Sequence, residues 1–236
     1  IRTVEGALRD ALLQVTGEQP RMTAAGRTDA GAHSHGQVVG LQLSTSWSPT
    51  RLVTALNAVL PADVAVREAV PASDGFHARF DAHSRTYHYV VAARRERSPL
   101  LRRYAWQVSG DLDVVAMRRA AALLRGTHDF GAFGRSPMTG GHTVRTVRHI
   151  ALRHTSFLGD TVPALVIEVS ADAFLYGMMR GIAGALVAVG RGRLAVAEVE
   201  ALLTEPARIP TITVAPARGL HQWSVTYLDP TTETSE

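Results

Sequence analysis

Apolar residues at Val4, Ala7, Leu8, Ala11, Leu12 and Val15 recur at three- and four-residue spacing, which predicts an amphipathic helix over 3–15. Ser48 followed by Pro49 marks a second helix start, with Leu52, Leu56 and Leu60 on its apolar face. Residues 22–25 and 37–43 are short and extended, while the Val- and Tyr-rich stretches 63–70 and 86–92 predict strands. The first half thus reads α-β-β-α-β-β. Beyond it, 104–108 predicts a strand and 111–124 a helix capped by Asp111, with Val114, Met117, Ala121 and Leu124 aligned. Strands follow at 144–152 and 164–170, a long apolar helix at 174–189, a short helix at 196–203 and a closing strand at 222–228. That order is close to a split βαββαβ, ferredoxin-like unit. By the same logic the first half lacks an opening strand, expected before Thr3. The predicted fold class is therefore α+β, with two α/β halves, 1–104 and 105–228, around a central cleft. The acidic tail 229–236 is expected to be disordered.

Composition narrows the chemistry. Of 236 residues, 46% are hydrophobic and 19% charged, a globular balance, and no stretch is long and apolar enough for a membrane span. The first residues carry no signal-peptide pattern, so the expected compartment is the cytoplasm, although the chain begins at Ile1. Without Cys there is no disulfide, thiolate nucleophile or Cys-based zinc site. All 25 basic residues are Arg and none is Lys, which excludes a Schiff-base lysine and a P-loop lysine. Arg94, Arg95, Arg97, Arg102 and Arg103 cluster, as do Arg145, Arg148 and Arg153. Arginine suits bidentate phosphate contact, so nucleic acid is a candidate partner and a solvated charged face the plain alternative.

Four segments carry candidate chemistry. In GRTDAG, 26–31, Arg27 and Asp29 lie among small residues that let a ligand approach closely; Thr28-Asp29-Ala30-Gly31 is also an ordinary turn sequence. His33 and His35 would share one strand face, which is half a metal site, but no third ligand follows and a scaffold role is the simpler reading. In RTYHY, 85–89, arginine and tyrosine together suit a stacked nucleobase, and Tyr87 and Tyr89 equally suit one buried strand face. In FLYGMMRGIAG, 174–184, Arg180 is the lone charge of an apolar helix. A buried arginine needs an anionic partner, for which Asp29 is the best nominee; otherwise Arg180 snorkels to solvent.

These blocks, with LNAVLPADVAVR (56–67), FHARF (76–80), GTHDFGAF (126–133), VRTV (144–147) and ARGLHQWSVTY (217–227), resemble in order those of the tRNA pseudouridine synthase A family. The resemblance implies the pseudouridine synthase fold, with mixed, largely antiparallel sheets. It further implies an isomerase that turns uridine into pseudouridine at positions 38–40 of the tRNA anticodon stem-loop, without metal or cofactor. Asp29 would be the nucleophile or would stabilise the departing sugar, and Tyr87 would stack on the uracil and assist loss of its C5 proton. Arg27 would meet the RNA or fill the space of a flipped nucleotide, and Arg180 would pair with Asp29. The expected partners are tRNA and a second copy of the chain, in a homodimer. The chain departs from the family pattern at Gln222, where an apolar residue, often Leu, is expected near the target base; Leu220 is then the lining candidate. A non-catalytic RNA-binding protein and a metal-dependent hydrolase using Asp29, His33 and His35 are the competing readings.

Overall fold

The computed structural model describes residues 2–136, 138–157, 162–204 and 213–228. Their contacts divide the chain into two compact units, one of residues 1–25 and 38–81, the other of 26–37 and 82–236. The twelve residues from Gly26 to Gln37, which include the GRTDAG loop, therefore belong to the second unit although the chain on either side belongs to the first.

The first unit is small. Helix α1 (Val4–Thr16) starts where the Thr3 side chain accepts from the Gly6 amide, and it stops at Gly17, whose φ of 75° suits glycine. Strands β1 (Thr23–Ala24) and β3 (Val39–Gly40) pair antiparallel over two residues each. Helix α2 (Pro49–Val59) opens on the Ser48 cap with Pro49 in its first turn, as the sequence indicates. Ala11, Leu12 and Leu56 form its buried centre. The strand expected over 63–70 does not form. The Asn57 side chain both accepts from the Val66 amide and donates to the Val66 carbonyl, each at 2.8 Å, so both backbone groups of Val66, at the middle of that stretch, are already occupied.

The second unit is one mixed, largely antiparallel sheet of seven strands. Its order is β2 (His33–Ser34), β9 (Leu220–Tyr227), β4 (Ala82–Ala93), β8 (Val162–Ala171), β7 (Val144–Phe157) and β6 (Gly126–Asp129), with β5 (Trp106–Val108) paired to the far end of β4. The pairs β2–β9 and β4–β5 are parallel and the rest antiparallel. Helices α3 (Val114–Leu123), α4 (Met178–Gly190) and α5 (Val196–Thr204) supply Met117, Ile182, Leu186 and Leu202 to a core that includes Tyr87, Tyr89 and Val91 of β4. On the opposite face Val90 and Ala92 pack with Leu101 and Ala105. The connection 94–105, near which the sequence suggested a division between halves, thus lies against the sheet whose strands β4 and β5 it joins.

Several element ends differ from the expected ones, each for a local reason. Helix α3 is capped by Asp113, whose carboxylate accepts from the Ala116 amide, and not by Asp111. Helix α4 begins at Met178 and not 174, because Gly177 precedes it with a left-handed φ of 77° and Tyr176 is bridged to Arg135 by two backbone hydrogen bonds. Strand β4 begins at Ala82 and β7 runs on to Phe157, both longer than the alternation predicted. The tail 229–236 lies outside the described residues.

Candidate active site

The loop 26–37 turns back on itself through the Ala32 amide, which donates to the Asp29 carbonyl at 3.0 Å, and Gly31 permits the turn with φ of 84°. Asp29 thus opens a turn, over 29–32 and not over 28–31 as the sequence indicates. Its side chain does something else. The Arg180 guanidinium, in the first turn of α4, donates from Nη1 to Asp29 Oδ2 across 151 positions of sequence. The Arg180 Nε donates to the Ala215 carbonyl at 2.6 Å, and the Ala215 amide donates back to the Arg180 carbonyl at 3.1 Å. The two side chains are 16% (Asp29) and 22% (Arg180) exposed, so the pair is mostly withdrawn from water while remaining reachable. Arg180 does not snorkel.

Helix α4 can come this close to neighbouring backbone because Gly181 and Gly184 have no Cβ. A Cβ on Gly181 would stand 2.1 Å from the Phe133 carbonyl oxygen, and one on Gly184 would stand 2.0 Å from that of Thr213. Both neighbours are backbone, which cannot rotate away.

Tyr87 faces the same region from β4. It is 8% exposed and meets Phe174 edge-on, with ring centroids 4.7 Å apart. Its hydroxyl approaches Gly26 at the start of the loop, where a Cβ would lie 3.7 Å from it. Burial pushes the Tyr87 hydroxyl up to about 12, with Arg85 opposing and the Asp29 carboxylate adding to the rise. Tyr87 is therefore a neutral phenol at physiological pH. Arg85 is held by the Ala82 and Asp172 carbonyls, at 2.9 and 2.8 Å.

The remaining expected residues fall as follows. Arg27 is exposed on the loop, two positions before Asp29. Leu220 is 7% exposed, opposite Tyr89 in the β4–β9 register and within the same core cluster as Tyr87. His33 and His35 belong to a column of rings on the sheet face that carries His88: Tyr104, His33, His221, His35, Trp223 and His88 follow one another with centroids 4.2 to 5.5 Å apart. His33 bonds the Arg103 carbonyl at 2.7 Å, and His221 bonds the Tyr104 carbonyl at 2.9 Å and His35 at 3.3 Å. The two histidines anchor the loop's exit strand. Among the described residues no group of three His, Asp or Glu side chains is gathered as metal ligands.

Two contributors escaped the sequence reading. Phe174 stood in a block singled out for Arg180 alone, and its signal was that it precedes the glycine where the helix breaks. Ala215 acts through its backbone alone, so no side-chain pattern announces it.

A part-buried Arg–Asp pair beside a tyrosine fits the family suggested by the motifs. A family model described as tRNA pseudouridine synthase matches residues 1–81 and 120–228. The chain belongs to the tRNA pseudouridine synthase family. It is 41% identical over 226 residues to the tRNA pseudouridine synthase A of Roseiflexus sp. (strain RS-1), covering 96% of this chain and 82% of that protein. It is 40% identical over 218 residues to that of Moorella thermoacetica, covering 92% and 86%. With the Neisseria gonorrhoeae protein of the same name it shares 38% over 227 residues, covering 96% and 83%. The mixed α+β sheet described above agrees with the pseudouridine synthase fold.

Proposed function

We propose that this member of the family isomerises uridine to pseudouridine at positions 38–40 of the tRNA anticodon stem-loop, with Asp29 as the reacting carboxylate. The observation that carries the reading is the Asp29–Arg180 pair, assembled from distant segments next to Tyr87 and still partly open to solvent. The reaction breaks the N1–C1′ bond, turns the uracil, joins C5 to C1′, releases the C5 proton and leaves a proton on N1. It is balanced without oxidant, reductant or energy source. Asp29 adds to C1′ or stabilises the sugar cation that bond cleavage leaves. Arg180 holds that carboxylate aimed, so that no reorganisation is needed when charge develops. Tyr87, as a neutral phenol, offers a ring face to the uracil and a hydroxyl donor to its oxygens. It assists loss of the C5 proton as a hydrogen-bonding group and not as a phenolate.

Extruding the uridine costs a few kcal/mol of stacking and pairing. Exposed Arg27 meets the RNA backbone or occupies the vacated space, and Leu220 lines the base side through the core beside Tyr87. The enzyme works on tRNA as a homodimer in the cytoplasm. The test is Asp29→Asn, assayed with tRNA tritiated at C5 of uridine. Tritium release should be abolished while tRNA binding stays within about threefold of the parent. Near-parental release from that variant overturns the catalytic role of Asp29, and release from neither protein favours a purely RNA-binding function.

A further inference from the structure

Gln222 is fully buried, yet it is an amide where packing alone would favour a hydrocarbon. It lies on β9 directly opposite Tyr87, on the core face of the sheet. Each end of its amide is committed. Its Oε1 accepts from the Ser34 hydroxyl at 3.4 Å, and its Nε2 donates to the Gln37 Oε1 at 3.3 Å. Gln37 in turn donates from Nε2 to the Gly26 carbonyl at 2.8 Å, and from its backbone amide to the Ser34 oxygen at 3.0 Å. Donors and acceptors alternate consistently around this circuit, so one orientation of both amides satisfies every member. The Gln222 carbonyl also accepts from the His35 amide at 2.8 Å. Beside it, Gly36 passes so near β9 that a Cβ would stand 2.4 Å from the Trp223 carbonyl oxygen.

The circuit spans the loop that carries Asp29. Gly26 is its first residue, and Ser34 and Gln37 lie at its end. A leucine at 222 would fill the volume but hold neither end. We propose that Gln222 is a positioning residue for the reaction: its buried amide ties Ser34 directly, and the Gly26 carbonyl through Gln37, to the strand beside Tyr87. Asp29 is thereby presented at a fixed distance from Tyr87 and Arg180. With both amide ends used inside the protein and no exposed surface, Gln222 acts through the loop and does not touch the base. The proposal rests on Asp29 as the reacting carboxylate.

The test uses the full chain with Gln222→Met, which keeps length and shape but neither hydrogen bond, and Ser34→Ala as a milder cut in the same circuit. Steady-state kcat and KM on one tRNA are measured alongside binding affinity and Tm. A misplacement of about 1 Å costs about 10²-fold in rate, so kcat for Gln222→Met should fall about ten- to a hundredfold. KM and tRNA affinity should stay within about twofold. Ser34→Ala should fall less, and the double variant no further than Gln222→Met, because both cut one chain of contacts. The deficit should persist when the assay is run well below the Tm of each variant. A parental kcat for Gln222→Met, or a loss that appears in KM alone or vanishes on cooling, overturns the proposal. Asp29→Asn run in parallel separates the two readings. If that variant turns over, Asp29 is not the reacting group and the positioning role goes with it. If it is inactive while Gln222→Met is parental, only the positioning role fails.

Discussion

Replacing Arg180 by leucine removes the cation but keeps most of the side-chain volume. The Asp29 carboxylate, 16% exposed, then loses its partner, and the Ala215 carbonyl loses the Nε donor it accepts from at 2.6 Å. Breaking a buried ion pair from one side costs about 3–5 kcal/mol. Water still reaches both side chains, 16% and 22% exposed, which places the expected cost at the lower end, about 3 kcal/mol. For a chain of this length each kcal/mol shifts Tm by about 2–4 °C, so Arg180→Leu should melt about 6–12 °C below the parent. The Asp29→Asn/Arg180→Leu double variant should recover part of that loss, because it no longer strands a carboxylate. Thermal melts at fixed pH and salt read the stability, and tritium release from C5-labelled tRNA reads the activity, which should be lost in both variants. A single variant melting within about 1 °C of the parent, with no recovery in the double, would refute the claim that the part-buried pair is mutually dependent.

Two further outcomes follow from the packing and the titration. Gly181→Ala puts a methyl group 2.1 Å from the Phe133 carbonyl oxygen. Overpacking of this kind costs about 1–3 kcal/mol against a helix-propensity gain of about 1 kcal/mol, so Tm should drop; an unchanged or raised Tm contradicts the close approach of α4. His221 is held down to about 4, first by burial and then by His33, His35 and His88, with the Tyr104 carbonyl opposing. The unfolded chain, titrating near 6.5, binds the proton that the folded chain refuses, so this stability is present above pH 6.5 and lost as pH falls toward about 4. The loss is at most about 3 kcal/mol. Denaturation curves across that range should show a shallower pH slope for His221→Phe than for the parent, and an identical slope would remove His221 as a source of acid lability.

How much of this was legible in the sequence depended on whether the cause was local. The helix over Pro49–Val59 announced itself because cap, proline and apolar period all lie within a dozen residues. The strand expected at 63–70 failed because a single side chain, Asn57, satisfied Val66 first, and nothing in the alternation of that stretch reveals a competitor outside it. The Asp29–Arg180 pair could be nominated from electrostatics, since an isolated arginine in an apolar helix needs an anion or a route to solvent, and the fold selects the anion. Ala215 could not be nominated, since backbone acceptors carry no residue signature. Gln222 was visible as a departure from the family pattern, but its meaning required the partners at Ser34 and Gln37, 188 and 185 positions away. The strand that would place His33 and His35 on one face could be considered from the sequence, but its parallel partner β9, near the opposite end of the chain, could not.

The missing Cβ atoms of Gly181 and Gly184 also bear on how this protein tolerates change. Where a helix rests on neighbouring side chains, each substitution in the core nudges its axis. Here α4 is gauged against carbonyl oxygens of Phe133 and Thr213, and Arg180 itself is latched to the main chain of Ala215 in both directions. The guanidinium that holds Asp29 is thus registered to backbone, which every amino acid supplies alike. Drift in the surrounding hydrophobic residues can proceed while the charged pair keeps its coordinates, with sensitivity concentrated at the two glycines.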